Sequence, residues 1–117
     1  MRKSVNGSVS LTLNTQFKKL YHKGLSQVTP SVVVYARKNG LSFNRIGITV
    51  SKKIGKAVAR NRSKRRLREV FRLNSPRILK GYDFVLVARG RTANCPFSKL
   101  TADFMQAAKS LGVLKNE

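Results

Sequence analysis

The hydrophobic and polar positions of this chain follow two periods. Ser31 to Lys38 (SVVVYARK) and about Ser42 to Ser51 (SFNRIGITVS) are rich in β-branched residues and read as strands. In the second, Ile46, Ile48 and Val50 take one side, while Arg45, Gly47, Thr49 and Ser51 take the other. Val33, Tyr35 and Arg37 share a face too, and it is expected to be this same polar one. Between the two strands, Asn39-Gly40 is a strong hairpin signal. Tyr82 to Arg89 (YDFVLVAR), after Gly81, is apolar on both faces and is expected inside the sheet. Three segments have helical spacing. Phe17, Leu20 and Tyr21 predict a helix from an Asn14 N-cap to about Lys23, ended by Gly24. Leu67, Val70 and Phe71 predict a second from about Ala57 to Leu73, with Ser63 and Arg60 continuing the stripe toward its start. Its opposite side carries Arg62, Arg65, Arg66, Glu69 and Arg72, and Asn74-Ser75-Pro76 ends it. Phe97, Leu100, Phe104, Ala107, Ala108 and Leu111 line the third, which Pro96 opens and Gly112 caps.

The resulting order, α-β-β-α-β-α, predicts an α/β (or α+β) two-layer sandwich: a central sheet with helices mainly on one face. At 117 residues the chain is expected to form a single domain, with a folded core over 14–112 and a loose arm or short extended segment over 1–13. The polar sheet face would stay open, flanked by Phe17, Tyr21 and the start of the second helix.

Charge sharpens that picture. Ten of the twenty-one residues from Lys52 to Arg72 are Lys or Arg and only Glu69 is acidic, within a net charge of +21. Concentrating so much charge on one helix is costly without an anionic partner, and a polyphosphate backbone supplies one. A catalytic centre within the chain is not expected. Its four acids, Glu69, Asp83, Asp103 and Glu117, are scattered, whereas a two-metal nuclease needs them clustered. A metal-free ribonuclease usually needs paired acid–base groups, and the single histidine, His22, reads as an exposed polar residue of the first helix. Cys95, the only cysteine, allows neither an internal disulfide nor a cysteine-based zinc site. The apolar runs Val32–Ala36 and Phe84–Ala88 are too short to span a bilayer, and Met1 to Leu13 has no apolar signal core, so the expected location is the cytoplasm.

These features converge on RNA or DNA binding without unaided cleavage. Arginine outnumbers lysine in the basic helix, which suits bidentate phosphate contacts and stacking. Phe17, Tyr21 and Tyr35 are placed to stack unpaired bases, although each also serves as an ordinary packing residue. Ser51-Lys52-Lys53 with Gly55 sets charge and backbone donors beside the sheet face. A small basic ribosomal or other structured-RNA-binding protein is the alternative, but it leaves the aromatic row unexplained.

The run from Val50 to Glu69 (VSKKIGKAVARNRSKRRLRE) resembles the signature of the bacterial ribonuclease P protein component, with Arg60-Asn61-Arg62 matching its RNR motif. Phe17 to Gly24 (FKKLYHKG) and Gly81 to Arg89 (GYDFVLVAR) extend the resemblance over roughly residues 14 to 111. It implies an α/β sandwich with a left-handed βαβ crossover, against the usual right-handed rule. It also implies partnership with a catalytic RNA, the holoenzyme removing 5′ leaders from precursor tRNA with Mg²⁺ held mainly by the RNA. On that resemblance Lys56, Arg60, Asn61, Arg62, Lys64, Arg65, Arg66 and Arg68 would contact ribonuclease P RNA. Phe17, Tyr21, Tyr35, Ser51, Lys52 and Lys53 would line the cleft for the single-stranded leader. No catalytic residue, membrane, DNA partner or obligatory protein oligomer is implied, and any protein-bound metal is left open. There are departures. Tyr21 stands where many members have Phe, and Ser8 to Leu13 lacks the basic residues common there.

Overall fold

The structure is a computed structural model and describes Ser4–Val5, Ser8–Ser10, Lys18, Tyr21 and residues 24–115. Lys18 and Tyr21 are helical, in keeping with the predicted first helix; Asn14, Phe17, Leu20 and His22 fall outside the described residues. Six strands and two α-helices are described: β1 (Ser4–Val5), β2 (Ser8–Ser10), β3 (Leu25–Val28), β4 (Val32–Lys38), β5 (Arg45–Thr49), α1 (Ala57–Asn74), β6 (Tyr82–Ala88) and α2 (Phe97–Leu111). The sheet order is β1-β2-β5-β6-β4-β3.

The strand that is apolar on both faces decides this order. β6 runs parallel to β5, from Arg45↔Asp83 to Thr49↔Val87, and antiparallel to β4, from Val32↔Ala88 to Lys38↔Tyr82. Phe84, Leu86 and Ala88 point into the helix layer, while Val85 is buried on the other face. Only an internal position hides both sides of such a strand.

The expected Asn39-Gly40 hairpin is therefore overturned. The turn exists, with Gly40 in the left-handed region at φ 73°, but β6 lies between β4 and β5. Asn39 binds across to β6 instead. Its N–H donates to Gly81 O at 2.9 Å, and its amide donates to Asp83 Oδ1 at 2.9 Å. The chain bends at these residues without forming a hairpin, because strand pairing is set by burial and not by the local turn signal.

β5 and β6, adjacent and parallel, are joined through α1 in a βαβ crossover. The N-terminal segment, expected as a loose arm or short extended stretch, contains β1 and β2, with β2 adding to β5 in parallel at Val9↔Arg45. An unforeseen β3 covers the opposite edge, pairing Leu25 through Val28 with Ala36 through Val33. A strand edge offers unpaired backbone groups, and short additions of this kind satisfy them.

Both helices lie against one sheet face. Leu67, Val70 and Phe71 of α1 meet Leu100, Phe104, Ala107 and Ala108 of α2 in a single core. Phe71 joins the layers, with ring centroids 5.5 Å from Phe84 and 6.1 Å from Phe104. Of the predicted α1 stripe, Ser63, Leu67, Val70 and Phe71 are buried, while Arg60 is half-buried. Ser63 is satisfied by donating to Ala59 O at 3.0 Å.

Candidate nucleic-acid interface

With α1 and α2 on one side, the second sheet face carries the tyrosines: Val85 and Gly47 are buried on it, while Tyr21 is exposed and Tyr35 and Thr49 half-buried. The registers align three rows across β5, β6 and β4: Gly47–Val85–Tyr35, Thr49–Val87–Val33 and Arg45–Asp83–Arg37. Tyr35 thus shares the face of Gly47 and Thr49, as the alternation predicts. Tyr21 reaches this face from the N-terminal side. Its ring meets Tyr35 edge-to-face, centroids 5.0 Å apart, and its hydroxyl lies 3.2 Å from Thr49 Oγ1. Tyr21 keeps 41% of its surface exposed, so the pair forms a platform with an accessible ring. Gly47 beside it has no side chain to obstruct that platform.

The cations at the edge of this face are not all free. Arg45 donates from Nε and Nη2 to both oxygens of the buried Asp83, each at 2.7 Å. The hydrogen bond to Asp83 raises the Arg45 pKa despite partial burial. This pair fixes the end of the sheet.

Past Thr49, a single 3-10 turn (Lys52–Ile54) anchors Ile54 on the core and leaves Ser51, Lys52 and Lys53 exposed. Gly55 then adopts φ 136°, a conformation other residues resist. Lys56 is the N-cap of α1, with no side-chain cap and no acid in the first turn. Three lysines before a helix N-terminus oppose the macrodipole, an arrangement that favours an anion there.

Along α1, Lys56, Asn61, Lys64, Arg65 and Arg68 are exposed. Arg62 and Arg66 differ from the expected free face. Arg62 Nε donates to Ala93 O at 2.6 Å, and Arg66 Nη1 donates to the same oxygen at 2.8 Å. Arg66 Nη2 also donates to Cys95 O, and its guanidinium sits 5.8 Å from the Phe97 ring centroid. Arg60 and Arg66 are half-buried, each with an unpartnered buried Nε. An orphaned donor costs about 1–3 kcal/mol, so fold stability alone does not account for these arginines.

The structure thus brings Tyr21 and Tyr35 together and strings Ser51, Lys52, Lys53 and Lys56 before Arg60, Asn61 and Arg62. Phe17 of the predicted cleft falls outside the described residues. Sequence reasoning missed Thr49 as the partner of Tyr21, the exposed Val58 on the basic face, and the loop 93–97 beside α1. Alternation placed Thr49 on the right face; nothing local signalled the loop.

The carboxylates are engaged elsewhere. Glu69 pairs with Arg72, whose hydrogen bond lowers its pKa, while Asp83 pairs with Arg45 and Asp103 with Lys99. Glu117 falls outside the described residues. Among the described residues, no three His, Cys, Asp or Glu side chains come together to hold a metal ion, and no helix is long and apolar enough to cross a membrane.

Fold and surface define a class: a two-layer α/β sandwich with a tyrosine-bearing sheet face beside a strongly cationic crossover helix. Comparison with known proteins gives the family. The ribonuclease P family model matches residues 6–112. The ribonuclease P protein component of Natranaerobius thermophilus is 40% identical over 107 residues, covering 92% of this chain and 93% of that one. The component of a Thermoanaerobacter species is 46% identical over 92 residues, 79% of each chain. Among solved structures, the Staphylococcus aureus RNase P protein aligns with a TM-score of 0.79 at 31% identity, over 91% of this chain and 97% of that one. The Thermotoga maritima RNase P protein gives 0.77 at 34% identity, over 86% and 96%. The chain belongs to the ribonuclease P protein family, the protein component of a tRNA-processing endoribonuclease. Its element order and crossover are consistent with those solved proteins.

Proposed function

We propose that this chain binds the catalytic ribonuclease P RNA through α1 and the turn before it. The sheet face that carries the exposed Tyr21 receives the single-stranded 5′ leader of precursor tRNA. One observation carries this reading: an exposed tyrosine platform continues through Ser51-Lys52-Lys53 into a helix whose exposed cations have almost no acids among them. Stacking on Tyr21 and Tyr35 suits unpaired bases of any sequence, while the helix suits a phosphate backbone.

Endonucleolytic removal of the leader is carried by the RNA subunit, with Mg²⁺ held mainly by that RNA. The chain's three described carboxylates are separated and each is paired with a base, so they form no cage for the ion. The protein's own contribution is to position the leader and lower the repulsion between two polyanions, which reduces the Mg²⁺ required.

The test is cleavage of a precursor tRNA by a bacterial ribonuclease P RNA at low Mg²⁺, with and without the chain. Restored cleavage at the mature 5′ end, weakened by Asn61→Ala, is expected. A folded protein that leaves cleavage unchanged would overturn the proposal.

A further inference from the structure

Between α1 and the loop leading into α2 lies a groove of about 660 Å³, within the size range of small-ligand clefts. Its two walls differ in chemistry. Arg62, Arg65 and Arg66 form one; Asn94, Pro96 and Phe97 form the other. The first wall is cationic and uncompensated. Ala93 O and Cys95 O, which hold Arg62 and Arg66, are neutral carbonyls, and no described carboxylate pairs with any of the three arginines. Two guanidinium groups are therefore fixed without losing their charge, and their ordering cost is met before a ligand arrives. Arg65 stays exposed and lines both this groove and a neighbouring hollow with Asn61, Lys64 and Arg68. The second wall offers an apolar surface and the exposed amide of Asn94, which both donates and accepts.

A cationic wall, an apolar wall and one amide match the three parts of a nucleotide: phosphate, base face and base edge. The groove is shallow and open to solvent, so it can be reached by a base that has left its stack, whereas a duplex keeps its bases stacked inside. We propose that this groove receives one extruded, unpaired nucleotide of a structured RNA. Arg62 and Arg65 hold its phosphate, Pro96 and Phe97 support the base, and Asn94 contacts the base edge. The guanidinium of Arg66 already lies over Phe97, so the base extends an existing stack. The proposal rests on the reading of α1 as an RNA-binding helix and adds a defined pocket to it.

Cys95, the only cysteine, also lines the groove and is half-buried, so its thiol reports occupancy. Its alkylation by iodoacetamide is measured in the free protein, in a saturated complex with bacterial ribonuclease P RNA, and with inorganic polyphosphate. The expected result is a rate slowed about tenfold or more by RNA and little by polyphosphate, which has phosphates but no base. Asn94→Ala is expected to weaken RNA binding about fivefold to tenfold with unchanged thermal stability. Full alkylation rate in a complex that a gel shift shows to be saturated would overturn the pocket and leave α1 as an RNA-binding helix. Equal slowing by polyphosphate would reduce it to a phosphate site and overturn the nucleotide. If no complex forms at all, the reading of α1 falls and the pocket with it.

Discussion

Asp103 shows how single side chains hold this fold. It is 2% exposed, yet Ser31 Oγ donates to it at 2.7 Å and Lys99 Nζ lies 3.1 Å away. Burial works against its charge, but the hydrogen bonds from Ser31 and Lys99 outweigh that and hold its pKa below the usual carboxylate value. Because the folded-state pKa lies below the unfolded one, its stabilisation is complete above the ordinary value of 3.8 and fades as pH falls through the folded value. Asp103→Asn is expected to cost about 2 kcal/mol near neutral pH, and urea unfolding should show the gap from wild type narrowing by pH 3. A gap of constant size would contradict this. Tyr21 separates two roles at the residue scale. Tyr21→Phe removes the hydroxyl near Thr49 and keeps the ring over Tyr35; Tyr21→Ala removes both. Under the proposed function, the holoenzyme's preference for precursor over mature tRNA should survive the first and fall by about 1–3 kcal/mol in the second. Equilibrium binding to both tRNAs measures it. The face carrying Tyr35 was legible from alternation alone, whereas the tyrosine–threonine contact joins residues 28 positions apart and leaves no local trace.

At the scale of elements, α1 works in two directions. Its buried stripe was legible in the 3.6-residue period of Leu67, Val70 and Phe71. The tie between its charged side and the loop 93–97 was not, because periodicity says which residues face away from the core but not which loop meets them. That tie separates two arginine variants. Arg65 has no hydrogen-bond or ion-pair partner among the described residues, so Arg65→Ala should leave stability within about 0.5 kcal/mol and reduce the salt slope of RNA binding by about one. Arg62→Ala also removes the 2.6 Å bond to Ala93 O, so it should weaken RNA binding and lower stability by about 1 kcal/mol. Salt-titrated binding and thermal melting of both variants check this; equal stability of the two would contradict the tie. The sheet teaches the same distinction. The three central strands β4, β5 and β6 were legible and β3 was not, and the order β5-β6-β4 was hidden behind a strong local turn signal.

The whole molecule carries +21, and its described acids already sit in ion pairs. Most of the remaining positive charge therefore repels itself, and the compact state is expected to be strained electrostatically. Screening should relieve this: the melting temperature is expected to rise by several degrees between about 0.01 M and about 0.15 M salt, as the Debye length shrinks from roughly 30 Å to roughly 8 Å. Binding to a polyanion should stabilise the chain further by mass action. Differential scanning calorimetry at the two salt concentrations decides it; a falling melting temperature would mean that surface attractions outweigh the repulsion.

The sequence by itself determined the three central strands and the two described helices, the faces they bury, the concentration of charge on one helix and the family to which the chain belongs. These follow from backbone periodicity and from residue types concentrated within short stretches. Only the tertiary structure decided that β6 separates β4 from β5, that Tyr21 closes on Thr49, and that Ala93 and Cys95 turn their carbonyls toward Arg62 and Arg66. Such contacts join residues distant in the chain, and they are chosen by where apolar surface and polar groups can all be satisfied at once, which no local stretch encodes.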